Sequence, residues 1–326
     1  MLSRLRRAFA DLFMLFVLPA TIALLPWRAG FALLRRFARS ARLYPLSVEP
    51  AWNAARELLP HADEREWKSR FRLLRLVDHV DVYLCLLRGA RWRRRWIAQL
   101  GEWPAAGPRI WLTYHWGAGW WIWPLLREHA APTHFLARAP QGRSVGLTRV
   151  SHVFATFRGW AMRRVGGAGA LFTGGSAAKI GAALAAGDGV MGMLDLPAAP
   201  EQRSMALTVL DRSARFPYGL ARLARELDIP VSIVSFGLDF ATGRRELRIE
   251  NLPAGCAAEQ TMQRYAAHLD ARLREAPEAW QIWREAALFF GVAGAVSART
   301  PEAYNSDSRD QHAGGAAPDS AHRIYP

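Results

Sequence analysis

A chain of 326 residues with 43 Lys and Arg against 28 Asp and Glu, a formal charge of +15, is long enough to bury one sizeable core and favours an anionic partner. The excess is nearly all arginine, since Lys68 and Lys179 are the only lysines. Cys85 and Cys256 lie far apart in no redox or metal-ligand spacing, which excludes a disulfide framework and reads as two small apolar side chains. Fourteen tryptophans, a residue favoured where one end of the ring is apolar and the other wet, add membrane contact to the readings of the charge: nucleic acid, acidic headgroups or an acidic carrier protein.

In chain order, Leu12 to Trp27 comes first, 16 residues without a charge between Arg4, Arg6, Arg7 and Arg28, Arg35, Arg36. A bilayer crossing takes roughly 20 apolar residues and Pro19 interrupts this run, so a shallow or re-entrant anchor competes equally with a true span. A cleaved signal peptide and a buried core helix are the alternatives, the first weakened because no small-residue cleavage site follows. Residues 1–45 are assigned as a membrane anchor with a basic juxtamembrane segment. From about Ala51 to Trp96, apolar residues at Phe71, Leu74, Val77, Val80, Leu84 and Leu87 recur at helical spacing, giving a helical layer over 46–100. Arg88, Arg91, Arg93, Arg94 and Arg95 with Trp92 and Trp96 form either a solvated face or a surface lying on anionic lipid.

From Arg109 the runs RIWLTY, THFLAR, GVMGMLD, SMALTVL, PVSIVSF and ELRIENL alternate with helical stretches at Trp120–Glu128, Ser176–Ala186, Tyr218–Leu227 and Glu259–Ala276. That rhythm predicts an α/β fold, a mixed sheet flanked by helices, over 105–298 within a domain of 46–298. Residues 299–326, rich in Ser, Asp, Gly, Ala and Pro, read as a disordered tail.

Within Leu112–Trp123 a hydrophobic strand ends at His115 and passes through Gly117 and Gly119 into an apolar helix, the place where α/β proteins put reactive groups. An imidazole there can take a proton from a hydroxyl, and glycine amides can approach an oxyanion; plain packing is the alternative. Arg163, Arg164 and Gly166 with Gly167, Gly169, Gly174 and Gly175 suit an anion site or a small-residue turn, but no P-loop or dinucleotide fingerprint is present. Asp195 follows the apolar GVMGML strand, as a functional carboxylate or a capping residue. Arg212, Arg215 and Gly219 precede a helix, as headgroup contacts or a helix-start signal. His61, His79, His129, His134, His152 and His268 form no metal-binding pattern, Ser176 and Ser235 lack a nucleophile elbow, and no nucleic-acid-binding motif is present.

Taken in order, the anchor, Leu112–His115, Arg164 with Gly166, Gly189–Asp195, Arg215–Val231, and Pro277, Trp280 and Trp283 make the chain resemble, over residues 1–290, the lipid A late acyltransferases (lauroyl/myristoyl type) of the lysophospholipid acyltransferase superfamily. The resemblance implies an enzyme at the bacterial inner membrane, facing the cytoplasm. It would move a fatty acyl group from an acyl carrier protein or CoA thioester to a hydroxyl of a membrane lipid, without cofactor or metal. His115, Arg164 and Asp195 would be catalytic, and Gly117, Gly119, Trp120, Arg138, Gly166, Arg215 and Gly219 would bind substrate. The chain departs from the family at Trp120, where the acid that orients the histidine is expected. Asp195 substitutes for it, His115 acts alone, or the protein is an inactive lipid- or carrier-binding homologue. Trp120, Trp121, Ile122 and Trp123 would line an acyl-chain groove or simply pack.

Overall fold

The computed structural model describes residues 2–59, 62–137, 148–173, 175–198, 203–253 and 255–290. Arg138, Gly174 and the tail assigned to 299–326 lie outside them. The first helices are α1 (Leu2–Leu12) and α2 (Leu18–Leu24), made continuous by a π-helical turn at Phe13–Val17. The turn has an identifiable cause. Pro19 has no N–H to give the carbonyl of Leu15, and the wider turn relieves the clash of its ring with that carbonyl. The freed Leu15 oxygen instead accepts a 2.8 Å bond from the Tyr83 hydroxyl. Arg88 caps the other end, donating to the carbonyls of Ala23 at 2.7 Å and Leu25 at 3.1 Å. The window Arg7–Leu24, mean hydropathy 1.7, is long and apolar enough to cross a membrane. One side packs on the domain through Leu18, Ile22 and Ala23, while Phe9, Leu12, Phe13, Val17 and Leu24 stay exposed.

Next come α3 (Trp27–Ala38), within the segment expected to be anchor and juxtamembrane, and then α4 (Pro45–Leu58), α5 (Glu64–Leu87) and α6 (Ala90–Trp96), the expected helical layer. Its last residues differ from expectation, because Ile97–Leu100 is strand β1. The remainder alternates strand and helix as expected, with α8 and β4 as additions to the expected elements: β2 (Arg109–Thr113), α7 (Ile122–His129), β3 (Thr133–Ala137), α8 (Arg149–Val165), β4 (Gly167–Phe172), α9 (Ala177–Ala185) and β5 (Gly189–Met193). Strands β6 (Ser204–Val209) and β7 (Arg212–Pro217) form a separate antiparallel hairpin. The chain continues through α10 (Gly219–Glu226), β8 (Val231–Leu238), β9 (Arg245–Asn251), α11 (Ala258–Glu275) and α12 (Ala286–Phe289).

Seven strands make one mixed sheet in the order β1-β9-β8-β2-β5-β3-β4, with β8 and β9 antiparallel and the other neighbours parallel. The central strands are mostly apolar and buried, as strands covered on both faces are, with Arg109, Ser232 and Ser235 as buried polar exceptions. Helices α5, α7 and α8 pack together on one face, and α9, α10 and α11 lie on the other. A buried ion pair ties the helical layer to the sheet. Arg245 of β9 donates to Asp81 of α5, gives 2.6 Å to the carbonyl of Gly243, and lies over the rings of Trp27 at 4.2 Å and Trp92 at 5.4 Å.

Candidate active site

Strands β2 and β5 are neighbours, Thr113 pairing with Met193, so the residues just past each, His115 and Asp195, emerge side by side at the carboxyl edge of the sheet. The Tyr265 hydroxyl locks the two ends together, accepting from Leu194 N at 3.1 Å and donating to the Thr113 carbonyl at 2.8 Å. Asp195 is fully buried and accepts three hydrogen bonds. Its Oδ2 takes the backbone N–H of His115 at 2.7 Å and the indole N–H of Trp280 at 2.9 Å. Its Oδ1 stands 2.9 Å from His115 Nδ1. The His115 ring is 28% exposed, and Nε2 meets no protein group among the described residues. Holding one ring nitrogen against a carboxylate fixes the tautomer with Nδ1 protonated and Nε2 free to accept a proton.

Burial disfavours the His115 imidazolium, but the charge and hydrogen bond of Asp195, aided by Glu285 and opposed by Arg75, raise its pKa above the ordinary 6.5. Glu285 is itself pushed up by burial. Arg75 belongs to α5 and donates 3.4 Å to the carbonyl of Gln281, whose own amide holds the His115 carbonyl at 2.7 Å. On the next turn of α5, Asp78 accepts from Arg158 of α8 at 2.7 Å.

The expected glycines divide. Gly117 has φ +79°, and a β-carbon there would stand 1.6 Å from the Phe236 carbonyl oxygen. Its amide is already given to Ala279 O at 3.0 Å, so it supports the turn and is no oxyanion donor. Gly117→Ala is therefore expected to lose at least about 2 kcal/mol of stability, read from the urea midpoint of solubilised protein, and an unchanged midpoint would refute the contact. Gly119 is exposed with open space around its α-carbon.

Trp120, expected as a substrate contact, is 7% exposed and covered by the Arg158 guanidinium 4.8 Å above its ring. Trp121 stacks on Trp92 at 4.6 Å and Trp123 meets Phe135 edge-on. The wall of tryptophans is packing, since η-turn Gly119–Trp121 and α7 turn these rings inward against α5 and the sheet.

Arg164 and Gly166 are not with His115. They end α8 and lead into β4, whose Gly167 shares a row with Thr133, Gly189 and Arg109 at the opposite edge of the sheet. That row is four residues below Thr113, about 13 Å, and three strands across, about 14 Å. Gly166 is needed where it is because a β-carbon would stand 2.5 Å from the Trp123 carbonyl oxygen. Arg215 and Gly219 do lie at the carboxyl edge, for the hairpin packs through Phe216 on Tyr265 and Phe289. Arg215 is exposed and donates to Ser204 Oγ at 3.0 Å, and Gly219 opens α10.

Gln281, Arg75 and Glu285 are site residues that sequence reasoning did not name, and Trp280 is one to which it gave no role. Trp280 stood in the Pro-x-x-Trp-x-x-Trp close, where the only signal was its spacing. No known protein-family model matches this chain, and no curated protein is similar to it at a significant level.

Proposed function

We propose that the chain is a membrane-bound acyltransferase in which Asp195 takes the place of the acid missing at Trp120. The buried Asp195 carboxylate on Nδ1 of His115, with Nε2 left open, is the observation that carries this reading. His115 Nε2 removes the proton of an acceptor hydroxyl as its oxygen attacks a thioester carbonyl. The carbonyl pair moves onto oxygen, and collapse of the adduct expels a thiolate that takes the proton back from the imidazolium. Arg75, whose charge acts on His115, and the Gly119 amide are the oxyanion partners in this scheme, because Arg164 is too far away. The donor is an acyl carrier protein or CoA thioester. The acceptor is a membrane lipid, in the first place one resembling a lipid A precursor, with another glycolipid, an amino-acid lipid or a pigment lipid as alternatives. The exposed apolar side of α1 and α2 supports attachment to a membrane, and the resemblance supports the cytoplasmic face of a bacterial inner membrane. The alternative raised by Trp120 is an inactive acyl-carrier- or lipid-binding homologue; the Asp195 carboxylate on His115 Nδ1 favours the enzyme.

The test is transfer from radiolabelled acyl carrier protein thioesters of several lengths into a total lipid extract by detergent-solubilised protein. Transfer is expected, and His115→Ala is expected to lower it by about 10²–10⁴-fold without changing the unfolding midpoint. Full activity in the variant, or no transfer by folded wild-type protein with any donor, overturns the proposal.

A further inference from the structure

Across the sheet from His115, a cavity of about 540 Å³ is lined by Arg93, Arg127, Arg164, Glu128, Trp160 and Cys85. The topology explains why three arginines meet there. Helices α7 and α8 both run back from the carboxyl edge, so their last turns, carrying Arg127 and Arg164, end together at the amino edge. Arg93 arrives from α6. Cations at helix C-termini are ordinary, since they complement the dipole, and that accounts for Arg127 and Arg164 singly. It does not account for three guanidiniums facing one concave space with Glu128 as the sole carboxylate lining it among the described residues.

Nor does it account for Arg93. Its side chain is 12% exposed and paired with Glu128, yet its Nε is buried with no acceptor among the described residues. Arg127 spends one N–H on a long 3.4 Å bond to the Arg164 carbonyl, and Arg127 and Arg164 are otherwise exposed. On the cavity's other side the surface turns apolar. Trp160, 48% exposed, stacks on Phe157, and Phe157 meets Phe16 beside the exposed Val17.

We propose that this cavity binds a phosphate group through Arg93, Arg127 and Arg164, apart from and independent of the His115 site. Planar forks suit phosphate oxygens, and an apolar border suits a phosphate that carries a lipid tail. Free phosphate and a phospholipid headgroup share this chemistry, and the experiment separates them.

The full chain in neutral detergent would be titrated with inorganic phosphate by calorimetry, and its retention measured on vesicles of phosphatidylcholine alone and of phosphatidylcholine with phosphatidylglycerol. Arg127→Gln with Arg164→Gln changes exposed side chains and leaves the core alone; Arg244→Gln with Arg264→Gln, also exposed, is the charge-matched control. The first pair is expected to weaken binding at least about tenfold beyond the control. Glu128→Gln, which removes the competing carboxylate and releases Arg93, is expected to strengthen it severalfold. These opposite changes seen with inorganic phosphate identify free phosphate as the ligand; seen only on phosphatidylglycerol vesicles, they identify the lipid. A first pair that behaves as the control in both assays, or a Glu128→Gln variant that binds more weakly, overturns the proposal.

Discussion

Under the proposed function, acyl transfer by an Asp195→Asn variant is expected to fall about 10³–10⁴-fold with the fold retained. The reason lies in which atoms face which. Oδ2 accepts from both the His115 amide and the Trp280 indole, so the asparagine oxygen is held in that position. Its NH₂ group then faces Nδ1, which must become the acceptor, and the ring proton moves to Nε2, the atom that has to act as base. The pH profile supplies a second, independent sign. In the wild type, the active neutral form of His115 gains population as pH rises through a pKa raised above 6.5, because the Asp195 charge outweighs burial. Without that charge the imidazolium is less favoured, so the acid limb of the rate moves to lower pH. Measured rates across that range that fall without the limb moving would assign Asp195 a packing role only.

Arg245→Ala is expected to destabilise the protein by about 3–5 kcal/mol, because it leaves the Asp81 carboxylate buried without its partner. It also removes the cation between Trp27 and Trp92, at 4.2 Å and 5.4 Å from their rings. The ion pair itself need not be the source of stability, since its desolvation offsets much of its attraction. Asp81→Leu combined with Arg245→Met should therefore recover most of the loss. Urea unfolding of the solubilised single and double variants decides this. A single variant costing under about 1 kcal/mol would show that water reaches Asp81, contrary to its complete burial.

The parts of the fold that could be read from the sequence are those where local pattern and burial agree. Ile110–Leu112 is apolar on both faces and Val231–Phe236 nearly so, with one serine on each face, and each reads as a covered strand. Gly167–Phe172 does not, because glycine and alanine alternate where β-branched residues are usual, and it reads as a glycine-rich loop. Strand β7 was obscured for a different reason. The turn before it places Leu210 at φ +50° and Asp211 at φ +59°, the conformation of a tight hairpin, without the glycine or asparagine that announces one. His115 and Asp195 were each legible as the residue beyond an apolar strand. Their meeting was one of three alternatives, and the chain could not choose it because it depends on β5 inserting between β2 and β3, a matter of crossovers. Order along the chain also misplaced Arg164. It precedes a strand, and nothing in a motif says which edge of the sheet a residue faces.

The closing segment decides when the His115–Asp195 pair is assembled. Ala276 O takes the Trp116 indole, Ala279 O the Gly117 amide, Gln281 N holds the His115 carbonyl, and Trp280 holds Asp195. During synthesis the apolar run that begins at Leu12 leaves the ribosome long before these residues do. His115 and Asp195 are therefore held in place only after Trp280, 85 positions beyond Asp195, has been made and folded onto them.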